Sequence, residues 1–216
     1  SGRLSTYNYL TFATYVGNSY RLGLRLPFQY NTAGQDRFNG EKQNESELFL
    51  QDIILSLQKY DLAYLPWDLG LYWEGRIYLP TSQNSIDSKM ITRLRNDFIL
   101  SKVFTKYFEM EYVNKFNYYV QSRTTYPNSF EDSDGFRVST ISSTKRIFLD
   151  HWLQAWGKVT PEIGLGWKIG GEDTYWNESD AENKHKPGER KWKTGPSVRF
   201  PLTDNANFIL SYDDVV

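Results

Sequence analysis

Tyr20-Arg21-Leu22-Gly23-Leu24-Arg25-Leu26-Pro27-Phe28-Gln29-Tyr30 is the stretch on which the fold turns. Every even position is leucine or aromatic, and the odd positions are Arg, Gly, Arg, Pro and Gln. A period of two is the period of a β-strand, so one face of this segment is wholly apolar and the other polar. The same alternation returns along the chain. Over residues 67–79, Trp67, Leu69, Leu71, Trp73, Ile77 and Leu79 oppose Asp68, Tyr72, Glu74, Arg76 and Tyr78. Over 107–123, Phe108, Met110, Tyr112, Phe116, Tyr118 and Val120 oppose Glu109, Glu111, Lys115, Asn117, Gln121 and Arg123. Over 161–170, Ile163, Leu165, Trp167 and Ile169 oppose Glu162, Gly164, Gly166 and Lys168. Val198, Phe200 and Leu202 alternate with Ser197 and Arg199.

Two segments carry both periods. Residues 46–60 and 87–104 place apolar side chains at helical spacing and also in alternation; their strand neighbours favour strands. The chain then reads as a single all-β domain over 1–216 with about ten strands. Polar, turn-rich stretches at 31–46, 81–89, 127–135 and 171–190 take turns with tight connections near 17–19, 59–66, 102–106, 157–160 and 203–205. Proline lacks a donor N–H, so Pro27, Pro80 and Pro201 are expected at strand ends or a rim.

Composition narrows the function classes. The 216 residues carry 25 basic and 26 acidic side chains, a net charge of -1, which removes the basic face a nucleic-acid binder needs. No cysteine is present, so a disulfide scaffold, a thiolate zinc site and a cysteine nucleophile are excluded. Mean hydropathy is -0.61, and no apolar run approaches the ~20 residues of a membrane-spanning helix. The first residues, Ser1-Gly2-Arg3-Leu4-Ser5, contain no basic-then-apolar signal segment. The aromatic content is high, with 16 Tyr, 13 Phe and 7 Trp. Large amphipathic rings are thus a main ingredient.

An alternating strand can bury its apolar face in a core or turn it to lipid. Three features favour lipid. The patterns run for roughly ten residues or more, where soluble strands average about 5–6. Tyr20 and Tyr30 bracket Leu22 to Phe28 on one face, and ten strand steps tilted by about 40° rise roughly 25 Å, the height of an outer-membrane apolar band with aromatic boundaries. Long polar loops alternate with tight turns, as in those barrels.

In YRLGLRLPFQY (20–30), WDLGLYWEGRIYL (67–79), EIGLGWKI (162–169) and GPSVRFPLTDNANFILSY (195–212), the chain resembles bacterial outer-membrane β-barrel proteins. The resemblance is one of architecture over the whole chain. It implies an antiparallel up-and-down transmembrane β-barrel in the bacterial outer membrane, a small monomer of ten to twelve strands, with the lipid bilayer as its partner. Two features depart from that pattern. The chain ends Asp213-Asp214-Val215-Val216 rather than in an aromatic residue, and its first connection is tight where those proteins place an outer loop. Either a strand count that differs by one or residues missing at an end would reconcile the second, hence the range of ten to twelve strands.

On this reading Leu22, Leu24, Leu26, Phe28, Leu69, Leu71, Trp73, Ile77, Met110, Phe116, Ile163, Leu165 and Trp167 face lipid, and Tyr20, Tyr30 and Trp67 form an interface girdle. The opposite faces line a lumen. Its first half takes Arg21, Arg25, Asp68, Glu74, Arg76, Arg93, Arg95 and Asp97; its second takes Glu109, Glu111, Lys115, Arg123, Arg146, Asp150, Glu162, Lys168 and Arg199. Confined charges are costly unless paired, so cross-strand Arg–carboxylate pairs are expected. Ten to twelve strands give a backbone radius of roughly 10–12 Å, which long side chains largely fill. The expected function is a porin-like narrow pore for ions or small solutes, or a structural membrane protein.

No enzyme, cofactor or metal is expected. His151 is the best candidate general base, but adjacent strand residues face opposite sides, so Asp150 cannot orient it. His185 lies in a charged loop, and Ser139, Ser142 and Ser143 are ordinary strand-end hydroxyls. Asp132, Asp134, Glu172, Asp173, Glu178, Asp180 and Glu182 offer hard oxygens for Ca²⁺ without EF-hand spacing. Phe130, Tyr175 and Trp176 could meet sugars or a partner. Two alternatives stand beside the membrane reading: a soluble secreted carbohydrate-binding β protein, and an outer-membrane barrel hydrolase.

Overall fold

The computed structural model describes residues 5–17, 19–35, 42–43, 45–131, 137–160, 163–177, 188–203, 206–211 and 214–215. Ten strands form the main sheet: β1 (Ser5–Val16), β2 (Tyr20–Asn31), β3 (Ile53–Leu65), β4 (Leu69–Leu79), β5 (Met90–Thr105), β6 (Phe108–Gln121), β7 (Lys145–Thr160), β8 (Ile163–Trp176), β9 (Gly188–Thr203) and β10 (Ala206–Ser211). Each pairs antiparallel with the next in sequence, an up-and-down meander. Both segments of mixed period are strands over most of their length, as β3 and β5. One short helix, α1 (Gln83–Asp87), lies in the β4–β5 connection; the Ser82 hydroxyl caps it, and Asp52 accepts from Ser82 N at 3.0 Å and Ser85 Oγ at 2.6 Å.

The tight connections, such as 66–68 between β3 and β4 and 106–107 between β5 and β6, collect at one end of the sheet, and the long ones at the other. Two long connections are more structured than their composition indicates. Residues 125–131 and 137–143 form a separate hairpin, and 171–176 belong to β8, paired with β7 on one side and β9 on the other. Pro27 lies inside β2 rather than at its end. Its missing donor falls where β2 leaves β3, after the Arg25–Ile54 pair, and meets the short strand Glu47–Leu50. Pro201 sits beside a register shift in the β9–β10 pairing, the other place a strand tolerates proline.

Among the described residues, β1 and β10 pair on one side alone, and the sheet is not closed into a barrel. The closed ring expected from the sequence is therefore an open sheet here. Its final edge is built from short runs: six residues in β10, then Asp214–Val215 beside Lys193 and Thr194. The register is the same for both runs, so they prolong one line along β9.

Polarity is inverted relative to a sheet that covers an apolar core. The strand register links Arg21, Gln58, Glu74, Asp97, Lys115, Asp150, Glu172 and Lys191 into one polar row from β2 to β9. On the other face, Leu24, Leu55, Ile77, Leu94, Tyr118, Ile147 and Tyr175 make an apolar row from β2 to β8. The charged row is the buried one: Glu74 is 3% exposed and Asp97 4%, whereas Leu22 and Ile77 are each 46% exposed. Fifteen polar or charged residues are buried among the described ones, against five apolar residues. The sheet encloses charge and presents grease.

Candidate functional site

Burial of the polar face requires the sheet to roll, and the side chains show that it does. One cavity of about 830 Å³ is lined from β1 through β6, by Tyr7 at one limit and Lys115 at the other. Six strands laid flat would put those limits about 24 Å apart. On the far side, Arg199 of β9 meets Glu109 of β6 at 2.6 Å, three strands away. The polar face is therefore concave and the apolar face convex.

Glu74, in the middle of β4, is the centre of the concave network. Its Oε1 accepts from Arg25 Nη2 and Gln58 Nε2, each at 2.8 Å, and its Oε2 from Tyr72 Oη at 3.1 Å and Arg76 Nη2 at 2.5 Å. Four donors from three adjacent strands meet one carboxylate. Asp97, beside it on β5, takes a two-pronged contact from Arg95 at 2.6 and 2.8 Å, and Arg76 reaches it at 3.4 Å. Charges thus alternate along Arg25, Glu74, Arg76, Asp97 and Arg95. Pairing of this kind is what confined charge needs, since an unpaired buried ion costs several kcal/mol (roughly). Two neighbouring cations stand outside it. Arg93 lies over the Tyr78 ring at 3.5 Å from its centre, its Nε buried without a hydrogen bond, and Lys115 lies over the Trp152 ring at 4.2 Å.

The other half of the concavity is packed by tryptophan. Trp152 and Trp156 of β7 point inward, opposite Gly170 and Gly166 of β8. A Cβ at Gly166 would stand 2.6 Å from the Trp156 ring, so the glycine is the space the ring occupies. Lys193, also inward, pairs with Asp150 and, at 3.2 Å, with Glu172, and lies 5.0 Å from the Trp152 ring centre. Arg199 stacks on Trp156 at 4.7 Å while it holds Glu109.

The residues predicted for the lumen fall mainly on this face. Arg21, Arg25, Glu74, Arg76, Arg93, Arg95, Asp97, Glu109, Glu111, Lys115, Asp150, Lys168 and Arg199 share it by register. Three do not. Asp68 is exposed in the 66–68 turn, where it and Trp67 have φ of 58° and 66°; alternation continued past the end of the strand. Arg123 is exposed beyond β6 for the same reason. Arg146 sits exposed at a register shift between Lys145 and Ile147, where a bulge breaks the parity. Glu162, His185, Asp132, Asp134, Glu178, Asp180 and Glu182 lie outside the described residues, as do the side chains of Phe130 and Ser139.

Leu22, Leu24, Leu26, Phe28, Leu69, Leu71, Trp73, Ile77, Met110, Phe116, Ile163, Leu165 and Trp167 all have convex parity. Tyr20 and Tyr30 end the convex face of β2, and Trp67 is on the turn, exposed. His151 has convex parity and Asp150 concave, so they do not form a base–orienter pair. Glu172 and Asp173 also part: the first meets Lys193 inside, the second Arg190 at 2.6 Å on the convex side, and they do not converge on a cation. The inward Trp152, Trp156, Lys193, Tyr7 and Tyr9 were missed. In β7 the polar-face positions hold Asp150, Trp152, Gln154 and Trp156, so rings erase the polar–apolar contrast that reveals a strand.

No family model matches the chain, and no curated protein matches it. Function therefore has to be argued from the two faces themselves.

Proposed function

We propose that the chain is an integral β-barrel protein of the bacterial outer membrane, its ring completed across β1 and β10, with a mixed-charge interior that acts as a restricted passage for ions and small solutes. The observation that carries this reading is the inverted polarity: a saturated carboxylate at the centre of the concave face and leucines, isoleucines and aromatics exposed on the convex one. Fully burying one such side chain is worth about 1.5–3 kcal/mol, so a convex face of this composition favours transfer out of water. Strands β1 to β9 have 11 to 16 residues, and a tilted strand needs about 9–11 to cross a bilayer. An even number of strands in a meander sets β1 antiparallel to β10, the relation closure needs.

Detergent dependence tests the membrane part. The refolded chain is expected to stay monodisperse only with detergent or lipid, and to migrate differently on SDS gels before and after boiling. A monodisperse β protein in plain buffer would favour a soluble sheet, such as the carbohydrate-binding alternative. Planar-bilayer recording tests the passage: small steps are expected, steps of porin size contradict the filled half, and a silent bilayer assigns the barrel a structural role.

A further inference from the structure

We infer that the cavity between β1 and β6 is a binding site for a small organic phosphate. The lining contains five cations, Arg25, Arg76, Arg93, Arg95 and Lys115, and two carboxylates, Glu74 and Asp97. This local excess of three positive charges sits in a chain whose net charge is -1. It is also not evenly used. Arg25, Arg76 and Arg95 are engaged by Glu74 and Asp97, whose oxygens are already occupied. Arg93 and Lys115 make no ion pair among the described residues. They stand on adjacent strands, β5 and β6, facing the same space.

The chemistry of the unpaired groups selects the ligand. Stacking on Tyr78 uses the flat face of the Arg93 guanidinium and leaves its N–H edge for a ligand, where a planar fork meets phosphate oxygens two at a time. A dianion matches the charge excess better than a monovalent ion. The volume, about 830 Å³, lies in the roughly 300–1,000 Å³ range of small-molecule sites and exceeds what a bare ion fills. Tyr7, Tyr9, Tyr60 and Tyr72 add ring faces for the organic part of the ligand. The same phosphate chemistry could come from a soluble metabolite or a lipid headgroup.

Calorimetric titration tests the site at constant ionic strength, in whichever medium keeps the chain folded, with phenyl phosphate as the soluble probe, dodecyl phosphate as the lipid-like probe and phenol as the neutral control. Binding of either phosphate without phenol is expected, and which of the two binds tells the source. Arg93→Gln should weaken it roughly tenfold or more, the size of a lost charge-assisted contact. Lys115→Gln, on the neighbouring strand, provides a second variant should the first not fold. Absence of phosphate binding, or binding unchanged in both folded variants, overturns the inference. The membrane reading is judged separately, by detergent dependence, so either can fail alone.

Discussion

At the scale of single residues, Glu74 shows how a charge is kept inside this protein. Its four donors, from Arg25, Gln58, Tyr72 and Arg76, leave no lone pair without a partner. Glu74→Gln would keep the shape but leave Arg25 without its carboxylate and Arg76 with Asp97 alone. Removing one partner of a buried ion pair costs about 3–5 kcal/mol, and the partial exposure of the arginines places this change near the lower figure. Urea unfolding should show that loss, with the midpoint lowered; an unchanged midpoint would mean that the network holds no stability. Gly166 is the apolar counterpart. Any side chain there meets the Trp156 ring at 2.6 Å, so Gly166→Val should destabilise by about 1–3 kcal/mol through overpacking. Trp156→Ala in the same chain should recover part of it, read by the same titration.

At the scale of elements, β2 was legible and β7 was not, for a physical reason. In β2 the two faces differ in residue class at nearly every step, and parity alone places Leu22, Leu24, Arg21 and Arg25. In β7 the inward positions include Trp152 and Trp156, which pack on glycines of β8 rather than on water, so class and face no longer correspond. Parity also says nothing about where a strand stops, hence Asp68 and Arg123, and it fails at a bulge, hence Arg146. The cavity was illegible altogether, because it depends on how far six strands roll. The outward row of β2 to β5 yields the sharpest element-scale prediction. Ile77→Arg places a cation on it two residues from the end of β4, where the cost is about 1–2 kcal/mol, between the values at a bilayer midplane and at its interface. Folding into vesicles should be impaired by that amount. If the face meets water instead, the variant should fold as well as the parent and be more soluble.

At the scale of the whole molecule, three properties go together: a rolled ten-stranded meander, a concave face of paired charge, and a convex face of exposed apolar side chains. A rolled sheet with an unsatisfied edge at β1 and another at β10 is a template for further pairing, and closing one edge on the other removes both. Tryptophans report directly on the two faces. Trp167 is 56% exposed on the convex side, whereas Trp156 is 2% exposed on the concave side. The decisive measurement is tryptophan quenching in vesicles whose lipid tails carry bromine, made on the parent chain and on Trp167→Phe and Trp156→Phe. A convex face in lipid gives strong quenching in the parent, a smaller quenched fraction without Trp167, and a larger one without Trp156. A folded chain whose fluorescence ignores the brominated tails would contradict it.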